Sequence, residues 1–145
     1  MFVIRFFKKP LQALKDAKYD DIIPLCTEII ESPEFNTLPS TKLEVLLLRA
    51  TFYSLLGKYS PAFQDLECIL NIEYASDDVK INALLKRANL HLKFMDLDMA
   101  FMNFELAINI NPHYSDIYYH RGQVLSTLIL SIFLLHAYKC TYKIM

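Results

Sequence analysis

The sequence repeats one short motif three times, as Leu46-Leu47-Leu48-Arg49-Ala50, Leu84-Leu85-Lys86-Arg87-Ala88 and Tyr118-Tyr119-His120-Arg121-Gly122. The three arginines are separated by 38 and then 34 residues. A second set of landmarks keeps the same register, because each of Ala62, Leu66 and Ile69 has a counterpart 38 residues later, at Ala100, Phe104 and Ala107. Self-similarity with a period of roughly 20 to 50 residues is typical of repeat architectures. The spacing therefore predicts an array of similar units.

Each unit is predicted to contain two helices. In the best-defined unit, apolar residues recur at helical spacing between positions 43 and 56. Gly57 predicts the end of the first helix, because glycine adopts a left-handed cap without steric cost. We expect Ser60-Pro61 to cap and begin the second helix, with Asp98 and Asp20 at the matching cap positions.

Further signals mark the other helix ends. Thr41 and Glu44 fit a capping box for the first helix of the same unit. The turn at 95–97 in the next unit lacks glycine, and Pro112 ends the helix that follows it. We therefore expect four helices between positions 43 and 114, with breaks near Gly57, 73–75 and 95–97.

Small and charged residues recur at fixed positions within the units. The small residues are Ala50, Ala88 and Gly122 in first helices, and Ala62 and Ala100 in second helices. Close helix packing requires small side chains at a crossing, so these positions predict where the helices of each pair meet. We interpret the repeated arginines as structural, with Asp65 and Glu105 of adjacent helices as candidate partners.

Composition excludes several classes of protein. The chain has 15 basic and 16 acidic residues, a balance that argues against a nucleic-acid-binding protein. Only two glycines are present, so glycine-rich phosphate loops are absent. The cysteines and histidines lack metal-ligand spacing, and we interpret Cys26 and Cys68 as helix-packing residues. We predict no catalytic residue, cofactor or metal, and therefore a protein that is not an enzyme.

These landmarks resemble tetratricopeptide repeats, which share the pattern Leu-x-x-Arg-Ala/Gly, then Ala-x-x-x-Phe-x-x-Ala, then proline. The tryptophan of that family is replaced by Leu46, Leu84 and Tyr118. The resemblance implies an all-α solenoid of helix pairs with about three repeats. Its expected parts are a partial N-terminal repeat at 1–40, repeats at 41–76 and 77–114, the first helix of a further repeat at 115–128, and an apolar C-terminal segment outside the pattern at 129–145.

A narrower family is suggested by the segments 19–28, 46–57, 82–88 and 110–123. Together they look like the middle section of the seventy-kilodalton preprotein receptors of the mitochondrial outer-membrane translocase (TOM complex). The resemblance runs from about Leu11 to Gln123. It implies a receptor that takes mitochondrial precursor proteins, often carrier proteins, from cytosolic heat-shock chaperones. Other translocase subunits are further implied partners, and the implied location is the cytosolic face of the mitochondrial outer membrane.

The chain also departs from that family. The family's membrane anchor and the early repeats that clamp the chaperone tail have no counterpart here. We therefore interpret the chain as a fragment or truncated form, which would be cytosolic if it lacks an anchor. The expected function is that of a non-enzymatic protein-binding module of the import receptor. The alternative is a generic tetratricopeptide-repeat adaptor or co-chaperone scaffold.

A peptide-binding groove is expected on the concave face, which first helices line in such arrays. Its predicted residues are Leu47, Thr51, Leu55, Leu85, Asn89, Lys93, Tyr119, Gln123 and Thr127. This mixed surface suits an amphipathic or hydrophobic targeting segment better than an acidic tail, although each residue is equally compatible with packing against a neighbouring helix. Lys86, Asn89 and Lys93 form the only cluster that resembles a carboxylate clamp, and we favour a solvated helix face there.

The C-terminal segment is unusually apolar. From Gly122 to Tyr138 the sequence contains no Asp, Glu, Lys or Arg. About 17 residues is the lower limit for a membrane-spanning helix. Polar residues such as Gln123, Ser131 and His136 dilute the segment, so we favour an atypical final helix over a tail anchor.

Overall fold

A computed structural model describes Gln12, Lys15, residues 19–33 and residues 39–142, with side chains from 21–33 and 39–136. Residues 19–33 and 39–142 contain six α-helices, and none of the described residues lies in a strand. They are α1 (Tyr19–Glu31), α2 (Pro39–Leu55), α3 (Tyr59–Leu70), α4 (Asp77–Lys93), α5 (Leu97–Ile110) and α6 (Ser115–Tyr142). The predicted all-α fold is confirmed, as are the helix breaks after Leu55, Leu70 and Lys93. The rest of the predicted N-terminal and C-terminal segments lies outside the described residues.

The helices pack as a stack of pairs. Each helix contacts the next one in sequence, and α2 also contacts α4. We call α2, α4 and α6 the first helices, and α1, α3 and α5 the second helices, after their places in the repeat. Because α1 to α5 bury apolar faces on their neighbours, the arrangement is the expected solenoid of helix pairs.

The turn between α2 and α3 and the turn between α4 and α5 have the same backbone conformation. Gly57 has φ +73° and Met95 has φ +57°, so both lie in the left-handed region. At the first turn the Lys58 amide donates to the Tyr53 carbonyl, and at the second the Asp96 amide donates to the His91 carbonyl. This is the hydrogen bonding of a Schellman motif. The predicted end at Gly57 is confirmed, and Met95 adopts the same conformation against its steric preference.

The predicted residues at the N-terminal caps of α1, α2, α3 and α5 are wrong. Lys58 is the N-cap of α3 and makes no side-chain capping bond, so Ser60 lies inside the helix. Asp96, not Asp98, caps α5, and its carboxylate accepts from the Met99 amide. The Schellman turn explains both results, because it leaves one residue between the left-handed position and the next helix. Two further caps fail because Thr41 lies within α2 and Asp20 within α1.

The small residues at the predicted crossings are buried in four of five cases. Ala50, Ala62, Ala88 and Ala100 are at most 2% exposed. Gly122 is exposed instead, and a Cβ added there would meet no atom within 4 Å. The prediction for Gly122 is wrong because no second helix packs on that side of α6 within the described chain.

The two described cysteines differ in environment. Cys26 is fully buried among Ile22, Ile29, Val45 and Phe52, and burial raises the pKa of its thiol to about 11. Cys68 is exposed on α3. The helix-packing interpretation is therefore confirmed for Cys26 and wrong for Cys68, which lies on the solvent side of its helix.

Helix α6 continues without a break through the apolar segment to Tyr142. The large apolar side chains between Ile129 and Leu135 are all more than half exposed. None of the helices in the described ranges combines the length and apolar character that crossing a membrane requires.

Candidate functional site

Two open cavities lie along the first helices. The smaller, of about 170 Å³, lies between α2 and α4, where Thr51, Ser54 and Leu55 face Lys86 and Asn89. The larger, of about 460 Å³, lies between α4 and α6. Its lining includes Asn89, Leu92, Leu97, His120, Gln123, Val124, Thr127 and Leu128. Asn89 lines both cavities, so they are adjoining parts of one surface, which we call the groove.

The groove contains part of the predicted set of binding residues. Thr51, Leu55, Asn89, Gln123 and Thr127 line it. Their proximity supports a shared surface, while their binding role stays a prediction.

The other four predicted residues line neither cavity. Leu47 packs against the core, and Leu85 is 4% exposed within the core that α4, α5 and α6 share. The Lys93 ammonium lies 5.5 Å from the centre of the Tyr59 ring, and the exposed Tyr119 hydroxyl accepts from Gln123 at 3.0 Å. Lys93 therefore contacts α3, and it does not line the groove with Lys86 and Asn89, with which it was grouped as a possible carboxylate clamp.

Three groove residues sit one position away from predicted ones. Lys86, Leu92 and His120 line the groove where sequence reasoning selected Leu85, Lys93 and Tyr119. The predicted residues on each first helix were spaced four apart. Each step of four residues advances about 40° around a helix with 3.6 residues per turn. Side chains spaced in this way therefore turn progressively away from the groove. A mixture of three- and four-residue steps stays on one face of the helix.

Lys86 gives the groove a positive charge. The side chain is half-buried, and burial lowers the pKa of its ammonium group. Across the described residues, no hydrogen bond or ion pair engages this group. This ammonium group, beside the Asn89 amide and the Thr51 hydroxyl, attracts hydrogen-bond acceptors.

The repeated arginines connect helices and stay out of the groove. Arg49 forms two bonds with Asp65, from Nε to Oδ2 at 2.8 Å and from Nη2 to Oδ1 at 2.7 Å. Its Nη1 also donates to the Thr27 hydroxyl at 2.9 Å. The hydrogen bond with Asp65 raises the pKa of Arg49, which stabilises its charged form.

The other two arginines make fewer bonds. Arg87 Nε donates to Asn103 Oδ1 at 2.6 Å, and Arg121 Nη1 donates to Glu105 Oε1 at 2.9 Å. Burial lowers the pKa of Arg87, while the charge of Glu67 acts in the opposite direction. The predicted partners Asp65 and Glu105 are confirmed. Asn103 was not among the predicted partners, because an amide lacks the negative charge that marks an ion-pair partner of arginine.

The described side chains contain no group of three His, Cys, Asp or Glu placed to hold a metal ion. At one turn, His91 Nδ1 and Asp96 Oδ2 lie 3.0 Å apart. This contact joins the end of α4 to the N-cap of α5, so it has a local role in the turn.

Comparison with known proteins gives a consistent result. No protein-family model matches the chain. Over 118 residues, or 81% of the chain, it is 33% identical to the human mitochondrial import receptor subunit TOM70. The chain is similar to a section of TOM70. The rat and mouse TOM70 proteins are each 34% identical over the same length, which confirms the resemblance to this receptor family. The match covers 19% of human TOM70 and 18% of the rodent proteins, so the chain spans about a fifth of these relatives.

Proposed function

We propose that this chain is a non-enzymatic protein-binding module of a mitochondrial import receptor. In this proposal the groove binds targeting segments of precursor proteins that chaperones deliver at the cytosolic face of the outer membrane. Other translocase subunits are its further partners. The observation that carries the proposal is the 33% identity to human TOM70 over 81% of the chain. The division into repeats at positions 41, 77 and 115 is part of the same proposal.

The groove has the chemistry that such a ligand needs. Leu55, Leu92 and Leu128 offer apolar contact, while Thr51, Asn89 and Gln123 offer hydrogen bonds. A mixed lining of this kind favours an apolar segment that keeps some polar groups, as an amphipathic helix or extended chain does.

The charge of Lys86 adds a preference among targeting segments. An ammonium group within the groove repels basic side chains at close range, and partial burial reduces the screening by water. We therefore expect the groove to favour apolar segments with few lysines and arginines at this point, and Lys86→Gln to improve binding of basic segments.

The experiment compares two tryptophan variants by fluorescence anisotropy with a labelled apolar targeting segment from a carrier precursor. Asn89→Trp places a large ring where both cavities meet, and we expect binding to weaken about tenfold or more because the groove is filled. Asn109→Trp is the matched control, since Asn109 is exposed on α5 and lines neither cavity.

Thermal unfolding of both variants verifies that they are folded. Equal affinities for Asn89→Trp and Asn109→Trp would contradict the groove. If the wild-type chain binds a chaperone tail peptide and does not bind the carrier segment, the adaptor function is favoured instead.

A further inference from the structure

The turn between α4 and α5 contains an unfavourable backbone conformation. Among the residues that the structure describes, Met95 is the only one other than glycine in the left-handed region, with φ +57°. In this region a Cβ lies too close to the following carbonyl oxygen, so the conformation suits glycine and is costly for methionine. Gly57 occupies the same position of the preceding turn, 38 residues earlier, with φ +73°. One turn therefore carries the favoured residue, and the other carries a strained one.

The fold offers the Met95 side chain little to contact. It is 73% exposed, and it belongs to none of the three apolar clusters of the described chain. At Gly57 an added Cβ would meet no atom within 4 Å, so a side chain at this position of the turn projects away from the helices. Packing within the chain therefore does not offset the strain at Met95.

The Met95 side chain instead lies at the groove. It lines the larger cavity, whose other apolar lining residues are Leu92, Leu97, Val124 and Leu128. The cavity measures about 460 Å³, which is within the usual range for ligand pockets. Because strained backbone conformations cluster at ligand-binding sites, the place of this one beside the cavity indicates a contact with the ligand.

The backbone of Met95 is held firmly while its side chain is free to move. The Met95 amide donates to the Leu92 carbonyl and the Asp96 amide donates to the His91 carbonyl, both at 3.0 Å. The side chains of His91 and Asp96 also lie 3.0 Å apart across the turn. A fixed base of this kind presents the methionine at one place on the edge of the cavity.

Methionine suits contact with large apolar side chains of a ligand. Its unbranched side chain has three rotatable bonds and adapts to irregular surfaces. Its thioether also makes favourable contacts with aromatic rings, often at the ring edge. The chemistry at Met95 therefore favours a ligand that places a large apolar side chain, and best an aromatic ring, in the larger cavity.

We propose that Met95 is a specificity-determining residue of the groove, which contacts a large apolar side chain of the bound targeting segment and prefers an aromatic ring. The ring lies in the larger cavity against Leu92 and Leu97, and the Met95 thioether covers its exposed side. This inference rests on the proposed function of the groove, to which it adds the kind of side chain that the groove selects.

The smaller cavity differs from the larger one at the equivalent turn. There Gly57 replaces Met95, and the smaller volume of about 170 Å³ is lined in part by Ser54 and Lys86. A bound segment therefore meets a polar section of the groove between α2 and α4, and a section that selects large apolar side chains between α4 and α6.

The experiment begins with Met95→Gly, which is expected to affect stability and binding in opposite directions. Glycine relieves the backbone strain, so the melting temperature should rise by about 2 °C or more. Loss of the methionine side chain should weaken binding of the labelled carrier segment about tenfold in fluorescence anisotropy. A residue with a structural role alone would not strengthen the fold and weaken binding at once.

Three further variants separate the contact from other effects of the change. Met95→Asn also suits the left-handed conformation, and it should weaken binding as much as Met95→Gly without the flexibility of glycine. Met95→Leu keeps a large apolar side chain and should retain an affinity within about threefold of wild type. Met102→Ala is the matched control, because Met102 is 46% exposed on α5 and lines neither cavity.

A change in the ligand tests the preference for a ring. The wild-type chain should bind the carrier segment about tenfold more tightly than a copy whose aromatic residues are replaced by alanine. In Met95→Gly this ratio should fall to about threefold or less, because the two changes remove the same contact.

Three results would overturn the inference. If Asn89→Trp weakens binding but Met95→Gly and Met95→Asn bind as wild type does, the groove stands and the role of Met95 is wrong. If both Met95 variants melt at a lower temperature than wild type, the side chain is needed by the fold. If the wild-type chain does not bind the carrier segment, the proposed function is wrong, and this inference is wrong with it.

Discussion

Helices α4 and α6 carry the same arginine motif in the same repeat position, but they differ in what covers them. Leu84, Leu85 and Ala88 of α4 are buried by neighbours, whereas the equivalent Tyr118, Tyr119 and Gly122 of α6 are exposed. The comparison shows that the repeat motif determines the helix and its register, while burial depends on the next helix in the stack.

The residue types on α6 suit partial exposure better than those on α4. Tyrosine replaces leucine at both exposed positions, and a tyrosine ring can pack while its hydroxyl contacts water. The Tyr118 hydroxyl donates to the Pro112 carbonyl at 2.8 Å, which anchors it beside the preceding turn. Helix α6 therefore keeps the motif with side chains that tolerate an uncovered face.

The largest expected difference between the helices is at their equivalent large residues. Leu85→Ala removes a buried side chain and should lower the free energy of unfolding by about 2–5 kcal/mol. Tyr119→Ala removes a side chain that is 64% exposed and should change it by no more than about 0.5 kcal/mol. Urea denaturation measures the free energy of unfolding of both variants. Similar losses would show that α6 is covered.

The second-largest difference in stability is expected at the arginine contacts of the two regions. Asp65→Ala removes two short hydrogen bonds to the half-buried Arg49 and should destabilise the chain by about 1.5–3 kcal/mol. Glu105→Ala breaks the exposed pair with Arg121 and should cost about 1 kcal/mol or less. Both variants are compared in urea at low and high salt. A Glu105→Ala loss as large as that of Asp65→Ala would contradict the exposed position of Arg121.

The small residues at the crossings sharpen the comparison further. Ala88→Leu overfills the crossing with α5 and should destabilise the chain by about 1–3 kcal/mol. Gly122→Leu meets open space, and it should stabilise the chain by up to about 1 kcal/mol because leucine is the better helix former. The melting temperatures of the two variants should therefore shift in opposite directions. A loss with Gly122→Leu would reveal a neighbour at that position.

Much of the fold follows from the sequence, because the spacing of the repeats locates the helices and their crossings. The 38-residue spacing of Arg49 and Arg87 locates two equivalent helix pairs, and the buried alanines mark where they cross. The register also relates Gly57 to Met95, whose left-handed conformation is set by the hydrogen bonds of the turn and not by its own preference. Residue preferences alone could not predict that conformation.

The groove was harder to predict than the helices. A helix is recognised from periodicity, but a lining residue must also be assigned the correct rotation, and a shift of one position turns a side chain by about 100°. Leu85 and Lys86 illustrate this, since the first is in the core and the second is in the groove. Caps were missed for a related reason, because Asp96 and Asp98 are equally good candidates until the geometry of the turn is known.

Hydrogen exchange of the backbone amides tests the central claim, that α4 is covered on both sides and α6 is not. Amides of α4 between Ile81 and Leu92 should exchange at least about tenfold more slowly than those of α6 beyond Gly122. Equal protection of the α4 and α6 amides would contradict the account.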